Sequence, residues 1–120
     1  LTRKQDFEEA ADAFLTATNL EPDEFWPWLY LGHAQRDLGD YEAAIEATES
    51  ALNVEIGEKE LNLAYYNLGC YNALLGRKEE ALDYLKIVLE KDESLREWAR
   101  EDSDLDSLRD EPGFEFLSEA

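Results

Sequence analysis

The strongest constraint on this chain is an internal repeat. Trp28-x-x-Leu31-Gly32 is followed by Gly39-Asp40-Tyr41, Ala44-Ile45 and Ala51-Leu52, and Tyr65-x-x-Leu68-Gly69 is followed by Gly76, Ala81-Leu82 and Val88-Leu89, each pair offset by 37 residues. Upstream, Asp6-Phe7, Ala10-Ala11 and Ala17 precede Asp40-Tyr41, Ala44-Ile45 and Ala51 by 34, so the second half of one further unit is present. A unit of this length cannot bury its own apolar face. Stacking of neighbours must supply the core, which makes a repeat array the expected architecture.

Within each unit the apolar residues recur at helical spacing, as in Phe7, Ala10, Ala11, Phe14 and Ala17, or Ala81, Leu82, Leu85, Val88 and Leu89. That periodicity predicts helices at about 5–20, 24–38, 41–55, 60–75 and 78–91. Pro22 cannot continue the first helix, Gly39 and Gly76 supply C-terminal stops, and Asp40 offers a side-chain acceptor to the helix after it. Gly32, Gly69, Ala44 and Ala81 are small where paired helices must approach, and Trp28, Tyr65, Leu31 and Leu68 are bulky beside them. The three-residue excess between the two full units falls in Glu55–Glu60, where Gly57 marks a break, as either a lengthened helix or a longer connection.

These residues resemble the tetratricopeptide repeat, a helix-turn-helix unit with the signature W-x2-L-G-x2-Y, then A-x3-F, then P. Trp28, Leu31, Gly32 and Ala44 fit it, as do Ala10, Phe14 and Pro22. Gln35 and Thr48 stand for expected aromatics and Ile56 for proline; in the last unit Tyr65, Asn72, Leu85 and Glu93 replace Trp, Tyr, Phe and Pro. The resemblance implies an all-α, right-handed helical-hairpin solenoid. Its parts would be a second helix of an incomplete repeat at 1–22, complete repeats at 23–57 and 58–94, and a C-terminal capping segment at 95–120, all in one continuous domain. Because Leu1 falls inside a repeat, the expectation is a C-terminal fragment of a larger, bacterial protein.

In this family the first helix of each unit lines a concave groove. The matching positions are Trp26, Leu29, Tyr30, His33 and Arg36, then Leu63, Tyr66, Asn67, Cys70 and Ala73. The resemblance therefore implies a non-enzymatic scaffold that holds a partner protein or peptide by apolar anchors. The alternative is a regulatory or assembly module of a larger protein whose catalytic domain lies outside this chain. Clamping of C-terminal carboxylates, a subclass of the family, needs Lys and Asn where Leu29 and His33 stand. Only Asn67 matches it, and an acidic groove would repel an acidic tail.

Charge narrows the partners further. Thirty acidic against eleven basic residues give a net charge of −19, which opposes binding to nucleic-acid phosphates and anionic membranes. An apolar fraction of 44% is too high for a disordered acidic chain. One cysteine, Cys70, permits no internal disulfide, and this fits a cytoplasmic location. No apolar run approaches the length of a membrane span.

His33 and Cys70 occupy equivalent positions on successive first helices, but such positions lie about 10 Å apart at the backbone, too far for a nucleophile–base pair. Two residues also fall short of a zinc ligand set, and neither Glu79-Glu80 nor Asp102–Asp106 forms a calcium loop, so no metal or cofactor is expected and the acids read as solvated faces. From Asp92 onward, eleven acids against three arginines give a net charge of −8. Trp98, Leu105, Leu108, Phe114, Phe116 and Leu117 are the residues there that could close the last helical face. At the other end, the stripe Phe7, Ala10, Ala11, Phe14 and Ala17 lacks a preceding helix, which makes a homodimer through the first helix a further candidate association.

Overall fold

A computed structural model describes residues 3–117, and the side chains up to residue 114. It contains six α-helices: α1 (Arg3–Leu20), α2 (Phe25–Asp37), α3 (Tyr41–Ala51), α4 (Glu58–Leu74), α5 (Lys78–Lys91) and α6 (Glu93–Glu101). Two 3₁₀ segments follow, Ser103–Leu108 and Pro112–Leu117, and no strand occurs among the described residues. The all-α, hairpin-based class expected from the periodicity is the observed one.

Both hairpins turn by the same local device. Gly39 and Gly76 adopt φ of 83° and 82°, a region open to glycine without steric cost. Their amides reach back to the carbonyls of Arg36 and Ala73, while the next amides, Asp40 and Arg77, bond to Gln35 and Asn72. These paired bonds close the ends of α2 and α4 on a left-handed residue. Asp40 then starts α3, its Oδ1 accepting from the Ala43 amide at 3.2 Å. At the same point of the second hairpin stands Arg77, and α5 has no side-chain cap.

Residue contacts group the chain into two compact units, the first running to Ala64 and the second beginning at Tyr65, with α4 contributing to each. In the first, α2 packs on α1 and on α3. Phe25, Leu29, Ala51 and Ala64 form a buried cluster against which Trp28, Leu52, Val54, Ile56 and Leu63 lie. The closest approach is at Gly32, where a Cβ would stand 2.7 Å from Thr48 Oγ1 and 3.0 Å from the Ala44 carbonyl oxygen. In the second unit, Gly69 plays the same part against Leu85. Leu68, Leu85, Val88 and Leu89 are fully buried, together with Ala99, Leu105 and Leu108 from the C-terminal segment, and Phe114 is nearly so.

Two boundaries differ from the periodicity. α3 stops at Ala51 rather than near 55, because Val54 and Ile56, two residues apart and both β-branched, leave the helix and turn into the Phe25–Leu29 cluster. The extra residues between the repeats appear largely as an added first turn of α4. The Gly57 carbonyl accepts the Leu61 amide there at 3.1 Å.

Trp98 is a further correction. It is 66% exposed and does not close the last helical face; Ala99, Leu105, Leu108 and Phe114 are buried there instead. The neighbouring position on α6 turns inward, which leaves the indole outside. The side chains of Phe116 and Leu117, expected in the same role, lie outside the described residues.

Candidate functional site

On α2 the expected groove residues divide by depth. Leu29 is 4% exposed and belongs to the core cluster, while Trp26 and Tyr30, one turn apart, are 43% and 47% exposed. Their rings lie 5.8 Å apart, and Tyr30 meets Phe14 of α1 at 5.4 Å, so three aromatic rings run in sequence from α2 to α1. The buried Phe25 ring meets Trp26 edge-on at 5.1 Å. Sequence register places Trp26 and Tyr30 on this face but does not anticipate Phe14 as their partner, because it assigns that residue to the stripe left without a preceding helix. The other members of the stripe, Phe7, Ala10, Ala11 and Ala17, are half-buried.

One turn further along α2, His33 is exposed, with Nε2 3.6 Å from Asp37 Oδ2. Arg36 pairs with the same carboxylate through Oδ1 at 2.9 Å. Asp37 thus neutralises the cationic end of the face and orients both side chains. Leu63, at the start of the corresponding face of α4, is half-buried against the first unit's core.

The continuation of that face in the second unit is covered by the chain itself. Tyr66, Cys70 and Ala73 are each under 5% exposed, whereas Asn67, turned to the side, is half-buried. The segment after α6 lies along them. Tyr66 donates to Asp102 Oδ2 at 2.6 Å, the Cys70 thiol lies 3.7 Å from the same oxygen, and Ser107 Oγ donates to the Ala73 carbonyl at 3.4 Å. Leu105 and Leu108 sink between these polar contacts and are fully buried. Arg109 ties the segment to itself by donating to the carbonyls of Ala99 and Asp102 and to Asp106.

Asp102 is the residue that sequence reasoning missed. Read as part of a solvated acidic run, it caps the following 3₁₀ turn through Oδ1 to the Asp104 amide and holds Tyr66 through Oδ2. Nothing in the local sequence distinguishes it from Asp104 or Asp106. Burial, with Cys70 and Asp102 alongside, pushes the Tyr66 phenol well above its ordinary range, so it stays a donor. Burial, reinforced by Asp102 and Asp104, likewise pushes the Cys70 thiol up. One donor atom each from Cys70, Asp102 and Asp104 lie within 4.8 Å of one another. Asp102 is hydrogen-bonded on both oxygens, to Tyr66 and to the Asp104 amide, so in this arrangement the group acts as a polar clasp.

The profile of the tetratricopeptide repeat family matches residues 28–55 and 63–93, the two stretches that carry the offset pairs. No curated protein sequence matches the chain. Among the described residues no helix is long and apolar enough to cross a membrane.

Proposed function

Because this chain belongs to the tetratricopeptide-repeat family, whose repeats generally mediate protein–protein interaction and are generally non-catalytic, we propose that it is a scaffold whose α2 face holds a partner protein or peptide. The observation that carries this reading is the run of Trp26, Tyr30 and Phe14. Two of its three rings are more than two-fifths exposed although a buried core lies directly beneath. Large aromatics that stay at the surface in a preset arrangement are the usual anchors of a binding surface, since they bury much area while losing little conformational freedom. His33 and Arg36 extend the face with polar contacts. Tyr66, Cys70 and Ala73 are already satisfied by the chain's own segment and are left out of the proposed surface.

The test is a selection of peptides against the intact chain from a random display library, followed by affinity measurement with a Trp26→Ala, Tyr30→Ala double variant. Removing two anchors should weaken selected peptides by more than about tenfold while far-UV circular dichroism stays unchanged. Equal affinity in a folded double variant would place the binding surface elsewhere.

A further inference from the structure

A second exposed aromatic stands in the C-terminal unit in a different electrostatic setting. α6 turns Ala99 into the core, and the preceding residue, Trp98, faces away from it at 66% exposure. Glu101 follows Trp98 by three residues, the spacing that brings side chains to one side of a helix, and Asp102 is the extended residue on which α6 ends. Together with Ser103 they line an open cleft of about 360 Å³. Asp102 is held there by the Tyr66 hydroxyl at 2.6 Å and the Asp104 amide at 3.0 Å. No described ion pair reaches Glu101 or Asp102. The nearby guanidinium of Arg109 is engaged by Asp106 and by the carbonyls of Ala99 and Asp102.

The cleft therefore presents a broad indole surface beside two carboxylates without cationic partners, one of them immobilised by its neighbours. A cation is favoured by both, through the ring's negative face and through direct Coulomb attraction, and an anion by neither. The chain's net charge of −19 adds a long-range field of the same sign. We propose that this cleft receives a lysine or arginine side chain from a basic segment of a partner protein. In that arrangement the cation rests against the Trp98 ring and Glu101 accepts its N–H hydrogen bonds, while Asp102, whose oxygens are engaged by Tyr66 and the Asp104 amide, contributes its charge. The surface lies on α6 and does not depend on binding at the aromatic face of α2.

Titration of the intact ¹⁵N-labelled chain with tri-lysine amide tests this, because each indole N–H gives its own resonance. The Trp98 signal should move saturably, whereas the Trp28 indole, which donates to the Pro22 carbonyl at 2.9 Å, should not. Tri-glutamate should move neither. Trp98→Leu keeps every charge and replaces an exposed ring, so backbone amide shifts can follow its binding; it should weaken tri-lysine by about threefold. Glu101→Gln should weaken it comparably and flatten its salt dependence. A stationary Trp98 signal would overturn the proposal. So would unchanged affinity in Trp98→Leu, since attraction would then come from the chain's overall charge.

Discussion

Gly69→Ala isolates the closest helix contact of the second unit. The added Cβ would lie 2.6 Å from Leu85 Cγ and 2.7 Å from Leu85 Cδ2, inside any distance that carbon atoms tolerate. Leu85 is fully buried, and the clash involves its branch point rather than a free end, so relief requires α4 and α5 to separate or Leu85 to leave its rotamer. Overpacking of this kind costs roughly 1–3 kcal/mol. Against it stands the gain from alanine over glycine inside a helix, about 1 kcal/mol. The net expectation is a loss of about 1 kcal/mol, read from urea unfolding followed at 222 nm. The diagnostic step is to repeat the substitution in a Leu85→Ala background, where the steric term disappears and only the propensity term remains. There Gly69→Ala should stabilise, by up to about 1 kcal/mol. If it destabilises equally in both backgrounds, contact with Leu85 is not what requires glycine, and the reasoning fails.

Arg77→Asp should give α5 the cap that Asp40 gives α3, raising stability by about 0.5–1 kcal/mol in the same assay; no gain would mean the second hairpin does not reproduce the first at its turn. The Tyr66 phenol and Cys70 thiol are both raised in the folded state from ordinary values of 10.0 and 9.0. The unfolded chain therefore releases these protons first, so their contribution is intact below about pH 9 and is lost as pH rises beyond it. The unfolding midpoint should fall through pH 9–10, and the fall should be shallower in Cys70→Ala; equal slopes would show that the thiol is not buried as described.

Much of the fold was legible in the sequence because its determinants are local. Helical spacing, the glycines at 39 and 76, Pro22 and Asp40 act within a few residues of themselves, and a repeat states each of them more than once. The small residues at 32 and 69 were legible for a related reason: the same close contact recurs in each hairpin and excludes a side chain each time. The end of α3 was not, since Val54 and Ile56 carry no helix-breaking signal and leave the helix only because the Phe25–Leu29 cluster offers them burial.

The candidate site divides along the same line. Register alone placed Trp26, Leu29, Tyr30 and His33 on one helical face, but depth is not a property of register. Packing with Phe25, Ala51 and Ala64 buries Leu29, while nothing in the first unit covers its neighbours Trp26 and Tyr30 to the same degree. On α4 the equivalent positions, Tyr66, Cys70 and Ala73, are covered by a segment some thirty residues further along the chain, through a carboxylate that looks in sequence like any other in an acidic run. Helix type and hairpin turns follow from short-range backbone and spacing rules, so the sequence by itself determined them. Which side of a helix remains open depends on residues brought together from distant parts of the chain, and only the tertiary structure decided that.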